Sequence, residues 1–299
     1  MGGCNWWVAA LPAAAMLLTG CSGQAVINTL TPTWGYRLHA DIAYGEQPRQ
    51  KLDVYVPDDA VAGAPVVVFF YGGRWSEGQK EHYKFVGEAL TSRGYITAIP
   101  DYRLYPQVTF PAFVEDGARA IAWMHAHISE YGGDPNKLFV MGHSAGAHIA
   151  AMLATDARYL AAVGGGPAWL AGMIGLAGPY DFLPITAADL KIIFGPKSAW
   201  PASQPVHFVD GDEPPMLLLH GKADTTVSPK NSIALARAVE QTGGRAKLIL
   251  YPGVGHIRLI ATMAFLLRWL APPQLDDLDA FVQAIVTAPA GSQATSPVQ

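Results

Sequence analysis

The sequence predicts one α/β domain, a mainly parallel sheet covered by helices on both faces. Three observations carry that expectation. From about residue 34 onward, short β-branched runs alternate with longer stretches of helical period. Residues 65–70 (Pro-Val-Val-Val-Phe-Phe) are apolar almost without interruption, as in a strand buried on both sides of a parallel sheet. The chain has 299 residues, 51% hydrophobic and only 15% charged, which is material for one large core.

In order along the chain, residues 37–44 and 51–56 read as two early strands separated by the turn Gly45-Glu46-Gln47-Pro48. After the strand 65–70, residues 79–93 are helical in period and stop at Gly94. Strand 95–100 follows. Residues 111–131 then make a long helix with Phe113, Ala120, Ile121, Trp123 and Met124 on its apolar side, ending at Gly132-Gly133-Asp134-Pro135. Strand 137–142, helix 145–156 and strand 170–177 come next. Strands 215–220 and 246–251 flank helix 230–242, residues 257–270 form a strongly apolar helix, and 275–286 add one more. No internal repeat interrupts this order. The domain is expected over 34–287, and the Ala-, Ser-, Pro- and Thr-rich tail 288–299 is expected to be disordered.

Composition excludes several functions. A net charge of −4 without any run of Lys or Arg leaves no basic groove for nucleic acid. The two cysteines, Cys4 and Cys21, both precede the domain, so it holds no disulfide, thiolate metal site or catalytic thiol. Residues 1–20 are apolar but short and interrupted for a membrane span, and they read as a signal peptide. They end in Leu18-Thr19-Gly20-Cys21, which resembles the lipobox of bacterial lipoproteins. That resemblance implies cleavage before Cys21, a diacylglycerol on its thiol, and a membrane anchor reached by export. Ser22 is similar to the residue found in lipoproteins sent to the outer membrane, with the domain in the periplasm or at the cell surface. No Lys or Arg precedes the apolar run; secretion without a lipid is the second reading and a buried N-terminal helix the third. Residues 21–33 are then a lipidated tether.

The chemistry centres on Gly142-His143-Ser144-Ala145-Gly146, a G-x-S-x-G match. In a chain with 31 glycines such a match is weak by itself. Its place between a buried strand and a helix is what gives it meaning. Strand and helix must approach closely around a sharp turn, so the flanking positions need almost no side chain. Ser144 then stands above the sheet, and the Ala145 N–H at the helix start faces a developing oxyanion. A serine hydroxyl needs a base, and the base needs an orienting acid. His256 lies in the Gly-rich loop after the last strand, where it can reach Ser144. His148 lies on the helix after Ser144, facing away from the turn, and His220 ends a buried strand. Asp224 follows the strand 215–220 at its carboxyl end, where open α/β sheets place their sites. Asp210 and Asp212 precede that strand and belong to its other end. The consecutive glycines of Tyr71-Gly72-Gly73-Arg74-Trp75 follow the strand 65–70 and let backbone N–H groups approach a carbonyl.

With these pieces the body resembles α/β-hydrolase esterases of the carboxylesterase and hormone-sensitive-lipase-like group. It is similar to isoprenylcysteine methylesterases, arylformamidases and feruloyl-esterase-like proteins. Further matching stretches are Asp101-Tyr102-Arg103-Leu104, Glu130 to Pro135, and His143 to His148. The resemblance implies an α/β-hydrolase fold and the chain order Ser144, Asp224, His256 for the triad. It also implies an oxyanion hole from Gly72, Gly73, Arg74 and Ala145. Residues 71–75 resemble the family's His-Gly-Gly-x-Trp loop, with Tyr71 in place of the usual histidine. Asp101 to Arg103 are expected to brace the site loops, and Asp134-Pro135 to form a structural turn. No N-terminal cap fits before the first strand, and residues 178–214 are the expected lid. Its aromatics Tyr180, Phe182, Phe194, Trp200 and Phe208 are candidates for pocket wall or core. The implied activity is hydrolysis of small or medium uncharged esters through an acyl-enzyme, with no metal or organic cofactor. An amidase, arylformamidase or exopeptidase with the same triad, and an inactive hydrolase fold used as a surface binding module, remain open. So do the acyl group, the alcohol and the oligomeric state.

Overall fold

The computed structural model describes residues 23–288; the expected signal peptide, Cys21 and residues 289–299 lie outside them. The strands are β1 (Tyr36–Ala43), β2 (Lys51–Pro57), β3 (Ala64–Phe70), β4 (Ile96–Pro100), β5 (Gly133–His143), β6 (Gly172–Leu176), β7 (Met216–Gly221) and β8 (Ala246–Tyr251). They form one eight-stranded sheet in the order β1-β2-β4-β3-β5-β6-β7-β8. β1 pairs with β2 and β2 with β4 antiparallel, and every other pairing is parallel. This is the α/β-hydrolase fold.

The helices are α1 (Gly23–Thr29), α2 (Lys84–Thr91), α3 (Ala112–His127), α4 (Ala145–Thr155), α5 (Ala157–Ala161), α6 (Ala188–Ile193), α7 (Lys230–Gln241), α8 (His256–Ala261) and α9 (Gln274–Val286). α4 packs over β5 and β6 beside α3, α2 over β2 and β4, and α7 against β7 and β8. The central strands are apolar on both faces because both are covered: Val66 through Phe70 and Leu138 through Met141 are fully buried.

Register fixes where the site can form. Phe70 of β3 is level with Gly142 of β5, His143 with Leu176 of β6, Leu176 with Leu219 of β7, and Gly221 with Tyr251 of β8. The carboxyl ends of β3, β5, β7 and β8 therefore come out together along one edge. The loops after them carry residues 71–75, Ser144, Asp224 and His256.

Four local expectations are corrected. Residues 23–29, inside the expected tether, form α1, which packs on α2 and the 3₁₀ turn Lys80–Tyr83. Residues 79–93 divide into that 3₁₀ turn and α2. The expected helix 111–131 tightens into a 3₁₀ turn over Ile128–Tyr131, stopped by Gly132 at φ 87°. The apolar run 257–270 is not one helix. α8 ends at Ala261, Thr262 bonds its own hydroxyl back to the Arg258 carbonyl, Ala264 is extended, and a 3₁₀ helix covers Phe265–Leu270.

Residues 178–214 do form an insertion between β6 and β7, carrying α6 and the 3₁₀ turns Lys197–Ser203 and Pro205–Phe208. Tyr180, Phe194 and Trp200 are buried in it, whereas Phe182 and Phe208 are partly exposed. No helix among the described residues is long and apolar enough to cross a membrane.

Candidate active site

The turn at Ser144 is as tight as its glycines require. Ser144 has φ 55° and ψ −122°, a conformation that costs of order 1–3 kcal/mol for a side-chain-bearing residue. A Cβ on Gly142 would come within 2.2 Å of the Gly146 carbonyl oxygen. One on Gly146 would come within 2.0 Å of the Phe70 carbonyl oxygen. The turn is held from the side by the Ser144 N–H, which donates to the Leu176 carbonyl at 2.9 Å.

His256, the first residue of α8, brings Nε2 to 2.9 Å from the Ser144 hydroxyl. Its Nδ1 lies 2.7 Å from Asp224 Oδ2. The carboxylate therefore fixes the tautomer: Nδ1–H donates to Asp224, leaving Nε2 as acceptor for the serine proton. Asp224 is itself anchored, since Oδ1 accepts the Thr226 and Val227 N–H groups at 2.8 and 2.9 Å. Burial pushes the Asp224 carboxyl up. Those N–H groups and the neighbouring imidazole outweigh it and hold the group below the usual carboxylate range. The structure thus brings all three sequence candidates together.

The 71–75 loop lies against this triad. A Cβ on Gly72 would sit 3.1 Å from the Ser144 Cβ, a tight contact, so glycine lets the loop run close beside the serine. Gly73 (φ 130°), Arg74 (φ 53°) and Trp75 (φ 59°) all have positive φ. Among the described residues, the N–H groups of Gly73, Arg74 and Ala145 donate to no backbone carbonyl. They are free to serve an oxyanion. Trp75 plugs the loop into the core, edge-on to His148 and Phe194 with centroids 5.2 and 4.8 Å away. The Arg74 side chain points elsewhere. Its guanidinium grips Asp189 of α6 through two bonds of 2.5 and 2.9 Å, tying this loop to the insertion. Both side chains are about half exposed, so the pair adds little to the stability of the fold.

Tyr71 is held on both sides. Its hydroxyl donates to Asp101 Oδ1 at 2.6 Å and accepts from Arg49 Nη2 at 2.8 Å. Tyr102 donates to the Tyr71 carbonyl at 2.8 Å, and its ring stacks on that of Tyr71. Asp101 and Tyr102 therefore brace the loop as expected. Arg103 is committed instead to buried Asp116, through bonds of 2.8 and 2.7 Å. The turn expected at Asp134-Pro135 is corrected: both residues lie inside β5, where Asp134 Oδ1 accepts the Asn136 N–H at 2.9 Å.

Sequence reasoning missed four side chains near the site. Arg49 joins the Tyr71–Asp101 pair from the β1–β2 turn, and no motif marks it. Asp189 carries no local signal either. His143 is fully inside, its Nε2–H donating to the His256 carbonyl at 3.2 Å and its ring 4.7 Å from the His256 ring. An imidazole directly before the serine, at the end of a buried strand, was the available clue. His220 reaches past the end of β7, with Nε2–H donating to the Val227 carbonyl at 3.0 Å and lying 3.3 Å from Asp224 Oδ2. It steadies the loop that presents the acid.

His148 faces away from the serine, as its helix position predicts. Its Nε2–H donates to the Ser203 carbonyl at 2.8 Å in the insertion, and its Nδ1 is buried without a partner among the described residues. Burial drives the pKa of His143 down to about 3 and that of His148 down to about 4. Both are neutral in the folded protein, while an unfolded imidazole titrates near 6.5. As pH falls below 6.5, the unfolded chain binds protons that the folded chain refuses, so stability falls. Each histidine contributes a slope of about 1.4 kcal/mol per pH unit until its folded pKa is reached. Thermal melts between pH 7.5 and 5 are therefore expected to show a falling Tm, more shallowly in His148→Gln. Parallel slopes in the two proteins would contradict the burial argument.

Among the described residues no cluster of His, Cys, Asp or Glu could hold a metal ion. A cavity of about 820 Å³ beside Phe110, Tyr159 and Phe194 includes none of the triad in its lining, so it is not assigned to the reacting group.

Comparison with known proteins places this arrangement. The family model described as BD-FAE matches residues 52–239. A probable isoprenylcysteine alpha-carbonyl methylesterase of Arabidopsis thaliana is 32% identical over 274 residues, covering 84% of this chain and 55% of that protein. A probable carboxylic ester hydrolase of Mycobacterium tuberculosis is 33% identical over 217 residues, covering 64% of this chain and 49% of that protein. The chain spans about half the length of these relatives. A truncated carbohydrate esterase from gut microbiota matches with a TM-score of 0.75 at 20% identity, covering 86% of this chain and 100% of that one. At that identity the likeness shows the fold alone. The family match runs from β2 into α7, more than half of the sequence, and takes in Ser144 and Asp224; the chain belongs to the BD-FAE family and has an α/β-hydrolase fold.

Proposed function

We propose that this protein hydrolyses carboxylic esters through a serine acyl-enzyme. The observation that carries the reading is the continuous bond path Ser144–His256–Asp224, at 2.9 and 2.7 Å, beside a loop with uncommitted N–H groups. Ser144 attacks the ester carbonyl as His256 Nε2 takes its proton. Asp224 stabilises the resulting imidazolium, and the N–H groups of Gly73, Arg74 and Ala145 receive the oxyanion. The imidazolium returns the proton to the leaving alcohol. Water then attacks the acyl-enzyme along the same route, restoring the serine. Gly72 contributes by its lack of a side chain, letting the loop approach. The esterase and ester-hydrolase names of the relatives support the same chemistry.

Small or medium uncharged esters are the proposed substrates, on the strength of a chain only 15% charged and of Phe182 stacking on Trp75 of the site loop. The Leu18 to Cys21 motif supports the companion proposal that the mature chain is lipidated on Cys21 and held at a bacterial outer membrane. The test is hydrolysis of p-nitrophenyl esters from acetate to palmitate by the full chain in detergent, with matched aryl amides beside them. Ester turnover peaking at short or medium chains, and labelling of Ser144 by a fluorophosphonate, are expected. Faster cleavage of the amides would assign an amidase instead. Failure of the probe to label Ser144 would leave a binding module.

A further inference from the structure

The apolar run after His256 sends its bulk outward. Ile257 is 66% exposed, Phe265 48%, Leu266 49%, Trp269 81% and Leu270 43%. They lie within fourteen residues of the triad histidine, counted on the sequence from 256 to 270. Four exposed large apolar side chains within the six residues 265–270 mark a surface that meets something other than water.

The ridge is held out by a framework. Arg258 of α8 donates to the Leu270 carbonyl at 3.0 Å, and Arg268 Nε to the Met263 carbonyl at 2.8 Å. The Arg268 guanidinium also pairs with Glu88 of α2. Trp269 Nε1–H donates to the Leu266 carbonyl at 2.9 Å, so the indole can leave water without an unpaired donor. Aromatic rings, leucines and arginines side by side are the composition of a membrane interface.

The occupant follows from where the chain enters. α2 carries the ridge through Glu88 and also packs against α1, whose Asn28 reaches the Glu81 carbonyl at 2.7 Å. Cys21 is two residues before Gly23, the first residue of α1, a span of at most about 7 Å. α1, two residues after Cys21 in sequence, and the 3₁₀ helix Phe265–Leu270 both pack on α2. Leu30 and Trp34, just after α1, are also exposed, at 54% and 73%.

We infer that Phe265, Leu266, Trp269 and Leu270 form a membrane-docking face that inserts into the interfacial layer of a lipid bilayer. The choice of occupant rests on the lipid-anchor reading given above. Because Ile257 adjoins His256 and Arg258 closes onto Leu270, docking holds the loop that carries the catalytic base at the lipid surface. The acyl chains on Cys21 supply attachment, and the ridge sets orientation.

The test reconstitutes the full chain into phosphatidylethanolamine–phosphatidylglycerol vesicles with plain or brominated acyl chains. The Trp269 emission is obtained as wild type minus Trp269→Phe, and intact-mass spectrometry reads acylation of Cys21 independently. The Trp269 component is expected to lose most of its intensity in brominated vesicles. In Phe265→Ser/Leu266→Ser, which keeps the reporter, most of that loss should disappear. Equal emission in the two vesicle types overturns the docking face, whatever the state of Cys21. Quenching with an unmodified Cys21 supports the face and removes the anchor reading. A dimer in sedimentation that Leu266→Asp dissociates, with Trp269 unquenched, would show a second copy covering the ridge and also overturns the proposal.

Discussion

Replacing Ser144 by alanine is expected to lower kcat on a p-nitrophenyl ester by about 10⁶, close to 8 kcal/mol of transition-state stabilisation. The loss is large because the hydroxyl is the nucleophile on which the other two residues act, and among the described residues no second hydroxyl is bonded to His256 Nε2. Stability should change little. Among the described residues the Ser144 Oγ bonds only His256, and the 55° φ strains alanine much as it strains serine. Steady-state kinetics with a thermal melt on the same preparation check both halves. Turnover within tenfold of wild type in a correctly folded variant would remove Ser144 from the mechanism.

Asp224→Asn is the second large effect, about 10⁴ in kcat. The substitution keeps an oxygen for the Thr226 and Val227 N–H groups, so the loop should hold its shape. It puts an NH₂ group where Oδ2 now accepts from His256. Two donors cannot face each other, so the imidazole turns to the tautomer with its proton on Nε2. Nε2 then offers a proton to the serine instead of taking one. His220, 3.3 Å from the same oxygen, carries no negative charge whether protonated or not, so it cannot replace the carboxylate. Asp224→Asn retaining more than a tenth of wild-type kcat would show that the carboxylate does not set the tautomer.

The elements that were legible in the sequence are those whose burial follows from local pattern. β3 is a run of apolar residues because both faces of the sheet are covered, and the turn at Ser144 shows itself in Gly142 and Gly146 because any side chain there would strike backbone. Asp224 and His256 could be picked out because each follows a strand at its carboxyl end. The run 257–270 was misread for the converse reason. Its apolar content looks like a core helix, but the residues that decide its shape are Thr262, Ala264 and Arg268, which break the helix and turn the ridge outward.

Sequence alone determined the strand-to-helix alternation, the nucleophile turn, the triad candidates and the glycines that let a loop pass beside Ser144, since each depends on neighbours along the chain. The tertiary structure decided the rest: Arg49 and Asp101 steadying Tyr71, Asp189 tying Arg74 to the insertion, His143 and His220 behind the triad, and Trp269 in solvent. Those contacts join residues from 4 to 115 positions apart, or depend on which face a segment presents. A polar side chain has no period that names its partner; only the folded sheet, by aligning the ends of β3, β5, β7 and β8, brings the two within bonding distance.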